Sequence, residues 1–121
     1  MNDYDAIQQT LFNYFDGYTT KDREKLESAF ELSVANMIGY WMTDSGEYEL
    51  FSTPIFELIE KWVSPDFTPF EFGDRKVLSL HIFSDVGATA VFNCGGRFID
   101  TFQMVKRNGE WRIANKFFVD Q

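Results

Sequence analysis

The chain reads as an α+β fold in which helices precede a mainly antiparallel sheet. Three observations predict this. Apolar residues recur every three or four positions in residues 3–18 and again from Ile55 to Trp62. From Lys76 onward the chain falls into runs of strand character separated by turn signals. Near the end, Asn108-Gly109 sits between two alternating runs, the strongest short signal for a hairpin. At 121 residues the chain has the length of one domain, residues 1–121.

In order, the first helix spans residues 3–18, with Tyr4, Ile7, Leu11, Phe12, Phe15 and Tyr18 forming one stripe. Asp3 and Asp5 suit the positive end of its dipole, and Gly17 lies near its end. Asp22 is a good N-cap for a second helix carrying Leu26, Ala29 and Phe30. Residues 34–42 read as a buried strand. Its two faces, Asn36/Ile38/Tyr40/Met42 and Ala35/Met37/Gly39/Trp41, are equally apolar, so the inner one stays open. A turn at 43–47 leads to a short strand at 48–51. Thr53-Pro54 then predicts a helix start, with Thr53 as cap and Pro54 at the first helical position. That helix runs to about Val63. Pro65 and Pro69 bound an irregular linker. Four strands follow, at 76–83, 88–94, 98–106 and 110–119, with Gly95-Gly96 as a bend or bulge between the second and third.

Composition narrows the function. The net charge is −8, and Lys and Arg form no stripe, which disfavours nucleic acid and anionic membrane surfaces as partners. No window approaches the roughly 18 apolar residues of a membrane span. The start, MNDYDAIQQTLFNYF, has no signal-peptide pattern, and cytoplasmic localisation is the expectation. One His and one Cys do not make a zinc site, and Cys94 has no intramolecular disulfide partner. No nucleophile motif, phosphate loop or cofactor fingerprint is present. Aromatics make up 18% of the residues, 14 of them Phe, which calls for an aromatic core or pocket.

With Asn108 and Gly109 as turn residues, an unbroken register places Phe98, Asp100, Phe102, Met104, Trp111, Ile113, Asn115, Phe117 and Val119 on one face, toward the helices. Asp100 and Asn115 are then diagonal neighbours among aromatics. An unpaired carboxylate in an apolar interior costs several kcal/mol. Asp100 is therefore either satisfied within the core or turned toward a cavity. The opposite face carries an apolar strip, Ile99, Val105, Ala114 and Phe118, which reads either as a dimer contact or as an ordinary outer face.

The C-terminal pattern RFIDTFQMVKRNGEWRIANKFF, the preceding strand GATAVF, and the early block with Asp16-Gly17-Tyr18 and an amphipathic second helix together resemble the nuclear transport factor 2-like superfamily. The branch they are most similar to is the putative lumazine-binding, polyketide-cyclase-like one. The resemblance covers nearly the whole chain. Its most specific residues are Asp100, Phe102, Lys106, Gly109, Trp111, Ile113 and Lys116. It implies a cystatin-like cone, a curved sheet wrapped around three helices with a small-molecule site in the hollow, and dimerisation through the sheet. Some members are enzymes and others bind ligands, so the fold alone does not assign chemistry. Where the branch often carries a His-Pro-Asp-like segment after the second helix, this chain has Phe30-Glu31-Leu32-Ser33.

Three chemistries can be weighed against the residues. A ketosteroid-isomerase type of site could use Tyr14 and Asp100 as an oxyanion hole, but residues 34–42 supply no carboxylate base. A His81–Asp100 pair fails because His81 alternates with the core-facing Leu80 and Ile82. A carboxylate pair bridged by arginine fails because Arg97, Arg107 and Arg112 fall on the outer face. The expectation is a small-molecule-binding cone whose ligand is apolar or aromatic with one polar group. Candidate ligand contacts are Asp100, Asn115, Phe98, Phe102, Met104, Phe117, Tyr14, Tyr18, Tyr40 and Trp62. The alternatives are a cone-fold enzyme using Asp100 and Tyr14 for proton transfer, and a non-catalytic dimeric interaction module. No cofactor and no metal is implied.

Overall fold

In the computed structural model, which describes residues 1–121, the element order is α1 (Asp3–Thr20), α2 (Arg23–Ala29), β1 (Asn36–Met42), β2 (Tyr48–Pro54), α3 (Ile55–Val63), β3 (Lys76–Ser84), β4 (Gly87–Cys94), β5 (Phe98–Arg107) and β6 (Glu110–Asp120). The six strands form one curved sheet in the order β2-β1-β6-β5-β4-β3. Every neighbouring pair is antiparallel except β1 and β6, which run parallel. The three helices pack into the concavity, giving the expected α+β cone. No helix is long and apolar enough to cross a membrane.

Local chemistry accounts for the helix ends. The Asn2 side chain accepts from the Asp5 N–H at 2.8 Å, and Asp22 accepts from Lys25 N–H at 3.1 Å. α1 runs past Gly17 and ends where Lys21 adopts a left-handed conformation. Its buried stripe is Ile7, Thr10, Leu11, Tyr14, Phe15, Gly17 and Tyr18. Tyr4 is exposed and Tyr14 is buried, so the inward face is rotated from the one the spacing suggested. The Thr53-Pro54 helix start is also corrected. β2 continues through Pro54, pairing residue by residue with β1, and α3 begins at Ile55 with no side-chain cap. The Ile55 N–H instead donates to the Ala35 carbonyl at 3.0 Å, which anchors the start of α3 to the sheet.

The largest correction lies in the last hairpin. Arg107 pairs with Glu110 and Met104 with Ile113, as the Asn-Gly turn dictates. Beyond that point the register shifts. Gln103 pairs with Asn115, so Ala114 is the extra residue of a β-bulge. The bulge sits where β6 changes its outer partner. Ile113 bridges Phe30 in parallel and accepts from the Glu31 N–H at 2.9 Å, whereas Asn115 onward pairs with β1. One extra residue inverts every side chain beyond it. Lys116, Phe118 and Asp120 therefore point inward and are buried, while Asn115, Phe117 and Val119 turn to the outer face. Asp100 pairs with Phe118, and its inner-face neighbour is Lys116 rather than Asn115.

Candidate functional site

The hollow of the cone is a cavity of about 220 Å³. α1 contributes Tyr14 and Tyr18, and β1 contributes Met37 and Trp41. Phe51 of β2 and Leu58, Lys61 and Trp62 of α3 form one wall. Phe98 of β5 and Lys116 and Phe118 of β6 form the floor, with Phe118 against Phe51 at 6.2 Å. The linker at 64–75 crosses over as a strap carrying Phe67, Phe70 and Phe72. Trp41, Phe51, Phe67, Phe70 and Phe72 are half-buried and Lys61 is exposed, so these residues ring the mouth.

The inner set of β1 is thus Met37, Gly39 and Trp41. Gly39 is required there. A Cβ on it would lie 2.2 Å from the Phe118 carbonyl oxygen. That close approach lets Trp41 and Phe118 meet at 4.9 Å between ring centroids. Phe98 closes the cluster, 5.4 Å from Trp41 and 5.8 Å from Phe118 in edge-to-face geometry.

The strap is tied at both ends. The Lys21 ammonium donates to the Ser64 and Phe67 carbonyls at 2.5 Å each. The Phe70 N–H donates to the Tyr18 hydroxyl at 3.0 Å, and the Gly73 N–H to the Gly95 carbonyl at 2.8 Å. Gly95 has a positive φ of 64°, and a Cβ on it would lie 2.2 Å from that of Phe72. The Gly-Gly break is therefore what seats Phe72. Arg97 stacks on Phe70 at 4.2 Å from above.

The polar groups are few and deep. Lys116 is 4% exposed. Its ammonium donates to the Met37 sulfur at 3.3 Å and lies 5.3 Å and 5.1 Å from the Tyr14 and Phe118 ring centroids. Asp100 lies behind it, wholly buried, with its Oδ1 3.7 Å from the ammonium. Neither Asp100 oxygen has a hydrogen bond of ordinary geometry. The Cys94 thiol adjoins the carboxyl, but S–H is a weak donor. Burial pushes the Asp100 carboxyl above its usual value, against a downward pull from Lys116 and Cys94. Burial likewise raises the Tyr14 hydroxyl well above its ordinary range, reinforced by Cys94 and Asp100. It raises the Cys94 thiol too, with Asp100 adding to the effect. Tyr18 rises through burial, moderated by the N–H bond from Phe70.

Of the residues singled out in the sequence, Tyr14, Tyr18, Trp62 and Phe98 line the cavity. Phe102 and Met104 are on the inner face but away from the cavity, Phe102 packing edge-on against Tyr14 at 5.8 Å. Asp100 is one layer behind the lining. Asn115, Phe117 and Tyr40 lie on the convex face. For Asn115 and Phe117 the cause is the Ala114 bulge. For Tyr40 it is the face of β1 that Gly39 occupies. Tyr40 is 37% exposed and packs on Tyr48 and Phe117. His81 is exposed on the outer face beside Phe83. Not among the expected ligand contacts were Lys116, named only for its family-like spacing, Trp41, left on an open face of its strand, Phe118, read as part of the outer apolar strip, and the strap, read as an irregular linker. Three Phe residues in a Pro-bounded linker were the available signal for the strap, since an irregular segment has no other reason to be so apolar. No three His, Cys, Asp or Glu side chains converge as a metal would require.

A family model described as putative lumazine-binding matches residues 2–119. No curated protein matches the chain. Among solved structures, a nuclear transport factor 2-like protein of unknown function from Methylobacillus flagellatus KT is 24% identical, with a TM-score of 0.74 over 98% of this chain and 92% of that one. A domain with a cystatin-like fold from Nostoc punctiforme PCC 73102 is 12% identical, with a TM-score of 0.65 over 98% and 77%. A hexachlorocyclohexane dehydrochlorinase from Novosphingobium barchaimii LL02 is 17% identical, with a TM-score of 0.66 over 95% and 84%. At these identities the likeness is one of fold.

Proposed function

The chain belongs to the putative lumazine-binding family, within the nuclear transport factor 2-like superfamily, and from that premise we propose that its aromatic hollow binds a flat molecule of one or two rings bearing a single polar group. The lining carries this reading. Of its 14 residues 12 are hydrophobic, and the non-hydrophobic pair is Lys61 and Lys116. A volume of about 220 Å³ is below the roughly 300–1,000 Å³ of sites for drug-sized ligands, which favours a compact ligand. Rings meeting edge to face leave aromatic surface to sandwich another ring. The family description makes lumazine, a bicyclic heteroaromatic of the right shape but with several polar groups, one probe, and naphthalene, with none, brackets the proposed ligand from the other side. Asp100 does not reach the cavity, so direct proton transfer between it and a ligand has no support, and the binding reading stands ahead of a catalytic one.

Trp41 and Trp62 supply the test, because both indoles line the hollow. Titration with lumazine and with naphthalene should quench their fluorescence saturably for at least one of the two. Leu58→Trp, which fills the cavity, should abolish that saturation. If neither probe gives saturable quenching up to its solubility limit, the reading fails.

A second reading concerns assembly. Tyr40, Met42, Tyr48 and Leu50 form an exposed apolar patch on the convex face of β1 and β2, beside the outward Phe117. That patch favours a homodimer through the outer sheet. Sedimentation should find a concentration-dependent dimer that Leu50→Lys dissociates, and a monomer at high micromolar concentration would exclude it.

A further inference from the structure

The one buried cation of the cavity has a partner that only half engages it. An ammonium has three N–H donors. One of those on Lys116 meets a thioether, a weak acceptor, at 3.3 Å. The nearest carboxylate oxygen stands 3.7 Å away, outside hydrogen-bond reach. The remaining approaches are the faces of Tyr14 and Phe118. No oxygen acceptor lies within bonding distance of this nearly buried charge, and the side that remains open faces the cavity. The charge pattern agrees. In a chain of net charge −8, the only charged residues lining the hollow are Lys61 and Lys116. Asp100, the counterion, is sealed behind the lining with both oxygens unpartnered.

We propose that the ligand is an organic anion whose carboxylate or enolate oxygen bonds to Lys116 and displaces Asp100 as its counterion. This rests on the reading of the hollow as a ligand site. An oxygen of the anion at hydrogen-bond distance completes the donor set that Met37 and Asp100 leave unfilled, and charge-assisted bonds of this kind are the stronger class. Asp100 then loses its compensating charge and takes a proton from solvent. In this exchange the empty cluster pairs a Lys116 cation with an Asp100 anion across 3.7 Å. Afterwards it holds Lys116, the ligand anion and a neutral carboxyl. The net charge is conserved. The titratable groups facing Asp100 are Tyr14 from α1, Cys94 from β4 and Lys116 from β6, with Tyr18 and Lys61 further along the cavity. Burial holds Tyr14 and Cys94 in their neutral forms, so the proton goes to Asp100.

The experiment uses three probes of one shape on the intact protein: 2-naphthoate, 2-naphthamide and 2-naphthylmethylammonium. Calorimetry should find the carboxylate at least about tenfold tighter than the amide, and the ammonium weakest. Repeating the carboxylate titration in buffers of different ionisation enthalpy, near neutral pH, should reveal proton uptake. Asp100→Asn should keep the preference for the carboxylate and lose the uptake, while Lys116→Met should lose the preference. Should Lys116→Met fail to fold, the double variant Lys116→Met/Asp100→Leu takes its place. An amide that binds as tightly as the carboxylate overturns the proposal while leaving the ring site intact. A preference that survives Lys116→Met overturns it too, and carboxylate binding without proton uptake overturns the exchange of counterions. If no probe binds, the ring site and the proposal fall together.

Discussion

The two halves of the β5–β6 hairpin share an alternating apolar pattern and have opposite fates. Near the turn, Met104, Trp111 and Ile113 sit where alternation from Asn108-Gly109 places them, and they pack as ordinary core. The Thr10 hydroxyl donates to the Trp111 carbonyl at 2.9 Å and the Trp111 indole N–H to Asp3 at 2.9 Å. Beyond Ala114 the same alternation runs out of phase, and that half builds the cavity floor. The near half teaches that a turn specifies register only until another element pulls on the strand. The far half teaches that site residues can hide one position away from where a simple count puts them.

Giving the extra residue a partner on β5 is the sharpest test of this contrast. Inserting one alanine between Gln103 and Met104 should let β5 and β6 run in unbroken register past Ala114, driving Asn115, Phe117 and Val119 inward and Lys116 and Phe118 outward, together with Asp100 and Phe102. The site would be lost, and with it on the order of 5 kcal/mol or more, a large part of the roughly 5–15 kcal/mol of an ordinary domain. Urea unfolding followed by circular dichroism measures this. An insertion variant of near-native stability would show that the phase of β6 beyond Ala114 is incidental.

Next in size is the pair that the bulge creates. Lys116→Ala leaves Asp100 buried without its counterion and should cost about 3–5 kcal/mol. Replacing both partners with apolar residues, Lys116→Met with Asp100→Leu, should recover most of that loss, because two desolvation penalties vanish together. A double variant as unstable as the single one would mean that the pair stabilises the fold rather than furnishing the site.

Gly39→Ala probes the same floor from β1. With a Cβ only 2.2 Å from a backbone oxygen of β6, the two strands must part, at about 1–3 kcal/mol. The rings of Trp41 and Phe118 should separate with them, weakening any ligand held against them. Gly46, whose Cβ would meet open space, is the control for the strand contact, carrying only the usual penalty for a left-handed residue.

Much of this was legible beforehand. The periodicity of α1 and α3, the Asp22 cap, the Asn-Gly turn and the inward placement of Asp100 all follow from local rules. The unreadable parts share one cause, which is partners distant in sequence. Ala114 suits either face, so nothing at that position announces a bulge. It forms because Phe30 and β1 compete for one edge of β6. The inner face of β1 is likewise set by a contact with Phe118, about eighty residues away in the chain. Asp100 drew attention as an oddity among aromatics, but the lysine that answers it sat one position from the expected asparagine.

The smallest effect separates the halves by pH. Asp100 in the far half has a folded-state carboxyl raised by burial, whereas Asp3, which holds Trp111 and Lys106 in the near half, is lowered by its bonds to them. The signs are opposite. A raised carboxyl binds its proton more tightly folded than unfolded, so stability falls as pH climbs from the unfolded value of about 3.9 through the folded one. A lowered carboxyl adds stability above that same unfolded value and loses it as pH drops through the folded one. The wild-type melting temperature should therefore decline relative to that of Asp100→Asn as pH climbs above about 4, by a few degrees for each kcal/mol involved. Relative to Asp3→Asn it should decline below about pH 4. Parallel wild-type and Asp100→Asn curves across the first window would mean that Asp100 is as comfortable ionised in the fold as in water, which its two unpartnered oxygens argue against.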